Sequence, residues 1–230
     1  MPTGPLRLIS SMATRELLAE LSAAYERASG QGVITAAAGG VDVARRVQAG
    51  EAADVVVLAS TAIDRLIAAG ALLGGSRVDL VKSGVAIAVR TGAPRPDVGS
   101  ETAVRRAVTA AKSLSYSTGP SGVHLEQLFE RWGIMADVRG RIVVPPPGVP
   151  VGQLVATGQA EIGFQQLSEL MNLAGVDVVG PLPPAIQTLT IFSGGIGARC
   201  QSVDAARRLL DYLAAPATAA VKRRHGMEPA

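Results

Sequence analysis

Leu6-Arg7-Leu8-Ile9-Ser10-Ser11-Met12-Ala13-Thr14 is an apolar run that gives way to hydroxyl residues and then to Leu17, Leu18, Leu21 and Tyr25 at helical spacing. The same order of events recurs in Leu114-Ser115-Tyr116-Ser117-Thr118-Gly119-Pro120-Ser121-Gly122-Val123-His124, followed by Leu125, Leu128, Phe129 and Trp132. Each stretch reads as a strand that enters a helix through a turn of small residues. A helix start carries backbone N–H groups without intrahelical partners and the positive end of the helix dipole, so it attracts anions. Two such turns in one chain predict two halves that grip one anionic ligand between them.

Outward from these turns, apolar runs of strand length lie at Val33–Ala37, Asp54–Ala59, Gly84–Val89, Arg141–Val144, Glu161–Phe164, Val176–Val179 and Leu189–Ser193. Most are continuous rather than alternating, the mark of strands buried on both faces. Helical spacing falls between them, at 14–28, 41–49, 61–69, 100–111, 121–132, 151–157 and 202–213, with a last helix after Pro216. Alternating strands and helices predict an α/β fold with mainly parallel sheet flanked by helices. Gly84–Arg90 and Leu189–Ser193 bracket the central block and read as the two strands of a hinge. This divides the chain into a discontinuous lobe 1, residues 1–84 plus 194–230, and a lobe 2, residues 85–193. The alternative is one continuous sheet without a hinge.

The 230 residues are 48% hydrophobic and 18% charged, enough for a substantial core. Aromatic residues make up 3%, which leaves little for stacking on bases or sugars, and no nucleic-acid-binding motif is present. The net charge of +3 favours an anionic partner weakly. The densest basic run, Lys222-Arg223-Arg224-His225, reads as the solvated last turn of a helix, where cations suit the dipole. One cysteine, Cys200, and two histidines argue against a disulfide and against a structural zinc site; no metal or cofactor is expected. No membrane segment is present, and no signal peptide precedes the first strand. The expectation is therefore a cytoplasmic protein, or a periplasmic one if the chain is a mature form.

The candidate ligand-binding residues follow from the turns. Ser10 and Ser11 stand where a helix cap is needed, and one of them is expected to fill it, an interaction worth ~1 kcal/mol. The remaining hydroxyl, with Met12 and Thr14 beside it, is left for a ligand oxygen. Ala38-Gly39-Gly40 opens a second helix, and glycine there permits positive φ and close approach of a ligand to backbone N–H groups. In the second turn Ser117, Ser121, Gly122, Val123 and His124 supply donors and backbone. Pro145–Pro150 is a stiff loop that presents the helix start at Val151, or merely connects. Gln165 and Gln166 end a strand, where ligands of open α/β sheets bind. Alternation sends their side chains to opposite faces, so one of the two is expected to reach the ligand. Lys82 and Arg90 flank the hinge and are the favoured cationic partners for a carboxylate. No P-loop, GxSxG or dinucleotide fingerprint occurs.

The run Glu51-Ala52-Ala53-Asp54-Val55-Val56-Val57-Leu58-Ala59-Ser60, continued by Ile63, Leu66 and Ala69-Gly70, resembles the Ala-Asp-hydrophobic segment of the type II periplasmic solute-binding proteins. The Ser-Ser turn, Ser117–Val123, Ala160–Gln165 and Ala206–Leu213 with Pro216 are similar to the molybdate-binding (ModA-like) branch in order and spacing, over essentially the whole chain. The resemblance implies two α/β lobes, a two-strand hinge and closure of helix N-termini on a ligand. Carried over residue by residue, it implies a site lined by Ser10, Ser11, Gly39, Gly40, Ser121, Gly122, Val151 and Gln165 or Gln166. Two departures shift the expected ligand. The branch usually places a hydroxyl residue where this chain has Ala38-Gly39-Gly40, and a tyrosine near Phe164-Gln165-Gln166. A roomier site lined by glycine and amides suits an organic carboxylate better than molybdate. The expected function is capture of such an anion, with an ABC transporter permease as partner if the chain is exported. The alternative is a cofactor-independent isomerase of a small polycarboxylate, like an aconitate isomerase, with His124 as the base and Asp42 as the weaker candidate.

Overall fold

A computed structural model describes residues 4–146 and 148–230. In chain order the elements are β1 (Leu6–Ser11), α1 (Arg15–Ser29), β2 (Val33–Ala38), α2 (Gly40–Gln48), β3 (Val55–Ala59), α3 (Ser60–Ala68) and β4 (Val78–Arg90). Then come α4 (Glu101–Ala110), β5 (Leu114–Tyr116), α5 (Pro120–Arg131), α6 (Met135–Val138), α7 (Val151–Ala156), β6 (Ile162–Gln166) and α8 (Leu167–Leu170). The chain ends with β7 (Val176–Pro181), β8 (Leu189–Ile196), α9 (Val203–Ala214), α10 (Ala219–Arg224) and β9 (Glu228–Pro229). Two compact units result: Met1–Lys82 with Ile191–Ala230, and Ser83–Thr190. The chain leaves the first unit within β4 and returns to it within β8, so these two strands join the lobes.

In the first unit β1 pairs in parallel with both β2 and β3, and β8 runs antiparallel to β3. Strand alternation sends Leu6, Leu8, Val55 and Val57 to one face, against Leu17, Leu18, Leu21 and Tyr25 of α1 and Leu209 and Leu213 of α9. Ile9, Val56 and Leu58 go to the other face, against Val43 and Val47 of α2 and Ile63 and Leu66 of α3. This double burial is why β1 and β3 read as continuous apolar runs. β2 is at the sheet edge and departs from that pattern: Val33 is buried, but Ile34 is 58% exposed.

In the second unit β5 and β6 pair in parallel, β6 lies antiparallel to β4, and β4 antiparallel to β7. One face packs on α4 and α5 around Phe129, which meets Tyr116 and Phe164 edge-on and stacks against Trp132. On the other face Val151 and Val155 of α7 sit directly over Gly163, where a Cβ would run into both side chains. Thus β1, β2 and β3 of the first unit and β5 and β6 of the second pair in parallel, and the antiparallel pairings all involve β4 or β8.

One expected strand is absent. Within 141–144, Arg141 ends a 3-10 turn (Arg139–Arg141), and the segment touches β5 only through an Ile142–Leu114 bridge and the bond from Val143 N–H to Leu114 O. Arg141 is turned instead to the carbonyls that end α4, donating to Thr109 O (2.9 Å) and Ala111 O. Pro145 and Pro146 follow, and without N–H groups they cannot extend a ladder. Pro147 lies outside the described residues.

Candidate functional site

In the first unit three parallel strands end side by side, and each feeds a helix. Ser10 and Ser11 lie opposite Ala37 and Ala38 of β2, and Ser10 lies opposite Val57 of β3. β1 runs on through Ser11 into a 3-10 turn, Met12–Thr14, before α1. Neither serine caps the helix. The Ser10 hydroxyl donates to Ser11 O (3.2 Å), Thr14 Oγ1 donates to the same carbonyl (3.2 Å), and Ser11 Oγ lies 3.5 Å from Thr14 Oγ1. The inserted 3-10 turn separates both serines from α1, and Ser11, at the start of that turn, makes no capping bond, so among the described residues no side chain accepts from the N–H groups of this turn. Ser10, Ser11 and Thr14 are all buried, and Met12 is half-buried.

α2 starts at Gly40, next to Ser11: a Cβ on Gly40 would sit 3.5 Å from Ser11 Cβ. The positive φ expected here does not occur, because Gly39 has φ −55° and Gly40 is already helical. What Gly39 contributes is open space, since nothing lies within 4 Å of a Cβ built on it. Asp42, in the first turn of α2, is held by Arg45 (2.6 Å) and Arg46 (3.5 Å). The hydrogen bond from Arg45 and the charge of Arg46 keep its carboxyl below the usual range, which makes it a poor proton acceptor.

In the second unit Ser117–Gly119 links β5 to α5. The Ser117 and Ser121 hydroxyls are 3.0 Å apart, and Ser117 Oγ accepts from Gly119 N–H (3.4 Å). A Cβ at Gly122 would overlap the Ser117 carbonyl oxygen and press on Tyr116, so the close pass of loop over helix requires glycine there. Ser121 is buried and Val123 is 50% exposed. His124 is half-buried and its Nε2 lies 2.8 Å from Ile186 O. A carbonyl only accepts, so Nε2 carries the proton; in the neutral ring Nδ1 holds the lone pair.

The two glutamines part company. Gln165 Oε1 accepts from Gly152 N–H (3.2 Å) in the first turn of α7, and its Nε2 donates to Glu169 Oε1 (2.9 Å). It is consumed in tying α7, whose first residue Val151 is fully buried, to β6. Gln166 donates to Thr190 Oγ1 (2.9 Å), yet its Oε1 is buried without a partner. Either assignment of the amide leaves one end without a partner, which sets Gln166 apart from Gln165. Thr190 and Ile186, which orient Gln166 and His124, were not singled out in the sequence; each acts across tens of residues of chain, which no local pattern reports.

The cationic candidates are spread. Arg45 is taken by Asp42, and Arg77 by Asp64 and Asp79. Lys82 closes the first unit opposite Glu228, and Arg90 ends β4 exposed. The Cys200 thiol is pushed up to about 11 by burial and by the Asp54 carboxylate, which keeps it protonated and unreactive at neutral pH. Among the described residues no group of three or more His, Cys, Asp or Glu side chains is placed to hold a metal ion. None of the described helices is long and apolar enough to cross a membrane.

The family model for bacterial extracellular solute-binding proteins matches residues 6–228. An aconitate isomerase from Pseudomonas sp is 38% identical over 236 residues, spanning 99% of this chain and 89% of the relative. The periplasmic molybdate-binding protein of Azotobacter vinelandii superposes with a TM-score of 0.80 at 18% identity, over 96% of this chain and 98% of that one. The sulfate-binding protein SubI from Mycobacterium tuberculosis H37Rv gives 0.80 at 14% identity, over 99% and 87%. At such identities the structural likeness speaks for the fold alone. With two α/β units joined through β4 and β8 and a family match over nearly its full length, this chain belongs to the bacterial extracellular solute-binding proteins, with the type II, molybdate-binding-protein-like fold.

Proposed function

We propose that this protein captures a small organic polycarboxylate of the aconitate class, with strand-to-helix turns supplying donors to its oxygens. The observation that carries this reading is the full-length, 38% identity to a protein named aconitate isomerase. The residues agree with it. The N–H groups of the Ser11–Thr14 turn are unclaimed by side chains, Gly39 leaves room, and Gln166, with its amide turned so that Oε1 accepts from the Thr190 hydroxyl, offers an unpaired N–H donor. If the protein is exported, an ABC transporter permease is the partner such a capture serves.

A second reading, isomerisation of the captured acid, is favoured by the same relative and by His124. Moving the double bond of an aconitate needs one proton removed from a carbon α to a carboxylate and one returned to another carbon of the same allylic system. His124, with Nε2–H anchored on Ile186 O, presents Nδ1 as the acceptor. Asp42, locked to Arg45 and Arg46, is disfavoured.

A thermal-shift panel of cis- and trans-aconitate, citrate, molybdate, tungstate, sulfate and phosphate tests the first reading. A ligand present at ~100 times its dissociation constant adds about 2.7 kcal/mol of stability. Stabilisation by the tricarboxylates is expected; stabilisation by molybdate or tungstate alone would overturn the reading. NMR of aconitate incubated with protein tests the second. Interconversion that disappears in His124→Ala supports it, and unchanged aconitate removes it.

A further inference from the structure

Lys222 breaks the expectation of a solvated last turn: it is 1% exposed, while Arg223 and Arg224 beside it reach solvent. Its side chain is among the most buried polar side chains of the described residues, and no carboxylate or other hydrogen-bond partner for its Nζ occurs among them. Lys222 lines an internal cavity of about 10 Å³, whose other walls are leucines and valines of α1, β3, β4 and α9. The one polar side chain sharing that cavity is Thr14. A space of this size holds one water. Thr14 in turn belongs to the first strand-to-helix turn, donating to Ser11 O and lying 3.5 Å from Ser11 Oγ.

A lone lysine among leucines is costly, because burial disfavours the ammonium and nothing repays it. Burial accordingly holds the Lys222 amine below the ordinary lysine range. None of the cavity walls carries another titratable group. The charged residues that flank these walls have partners of their own: on β4 Asp79 is held by Arg77 and Ser193 and Lys82 lies opposite Glu228, and on α1 Arg15 pairs with Glu16 and Glu20 with Arg224 and His225. An anion at the Ser11–Thr14 turn would be the opposite charge that Lys222 lacks.

We propose that Lys222 is a cation held behind the first strand-to-helix turn, coupled through Thr14 to Ser11, and that it sets how tightly that turn holds an anion. The proposal rests on the reading of this turn as an anion site. It makes Lys222 a positioning residue that acts from beneath the site through its charge. Anion capture then favours the protonated amine, so binding takes up a proton wherever the free protein holds Lys222 neutral.

The test is calorimetry with trans-aconitate, citrate and molybdate on wild type, Lys222→Met and Lys222→Arg, from about pH 7 to about pH 10 in buffers of different ionisation enthalpy. Wild type should bind with proton uptake and lose affinity as the pH rises. Lys222→Met should bind roughly 10-fold or more weakly at the lower pH, with no proton uptake. Lys222→Arg should keep the affinity and lose the pH dependence, since guanidinium stays charged. Equal affinity and equal proton counts in wild type and Lys222→Met overturn the proposal and leave the anion site standing. Absence of binding by wild type to every anion overturns the site and the proposal together. Should Lys222→Met not fold, the wild-type proton count decides alone: a flat profile without uptake overturns the proposal.

Discussion

The turn after β1 and the turn after β5 solve one problem in opposite ways. Both bring a strand into a helix and leave the helix start open. The first has no glycine of its own: a 3-10 turn is inserted, and its hydroxyls fold back on the Ser11 carbonyl. The second is compressed, with the Ser117 carbonyl resting on Gly122. The second turn is therefore sterically fixed at Gly122, while the first has no contact of that kind. The same contrast holds for the partners of each turn. Gly39 borders the first with open space and Gly40 with ordinary contact, whereas Gln165 is bound at both ends of its amide.

Substitutions can break or sharpen this contrast. Gly122→Ala should be the most damaging, because its Cβ meets backbone that cannot move without displacing β5. A loss of more than about 3 kcal/mol, or failure to fold, is expected in denaturant titration, and a loss under about 1 kcal/mol would show that the second turn is not compressed. Gln165→Leu should cost about 1–3 kcal/mol by the same measurement, since it strands the buried Gly152 N–H; a neutral result would free Gln165 for a role in binding. Gly40→Ala should change stability least. Its new Cβ finds ordinary contact with Ser11, and alanine is the better helix former by up to about 1 kcal/mol. A large loss there would mean that the first turn is as constrained as the second.

One further effect follows from burial alone. The Lys222 amine titrates below the ordinary lysine range, so the unfolded chain binds a proton that the folded chain releases. Stability of wild type should then rise relative to Lys222→Met as the pH climbs towards the ordinary lysine range, and the advantage of the methionine variant should be greatest below it. Parallel denaturant curves at every pH would contradict this.

Much of the fold was legible because burial on two faces writes itself into composition. The runs at β1, β3, β5 and β6 are continuous for that reason, and α1, α5 and α9 carry the spacing that faces them. Where the environment is asymmetric, the pattern misled. β2 reads like its neighbours but lies at an edge. Residues 141–144 look like a strand, yet proline and the Arg141 contacts keep them out of the ladder. The positions of the helix starts were legible; their geometry was not. Ser10 and Ser11 have the chemistry of caps but lie ahead of an inserted 3-10 turn. Gly39 and Gly40 have the freedom for positive φ and do not use it. Gln165 and Gln166 look alike in sequence and differ only in which groups other elements bring to them.

By itself the sequence determined the α/β class and the places where strands run into helices, because these depend on hydrophobic periodicity and on residues adjacent in the chain, and its resemblance to known proteins pointed to the family. Only the tertiary structure decided which polar groups remain unpaired. Gln166 keeps a free amide end, Gln165 does not, and Lys222 is buried without a counter-charge, since hydrogen-bond satisfaction and desolvation depend on what distant segments place alongside a group.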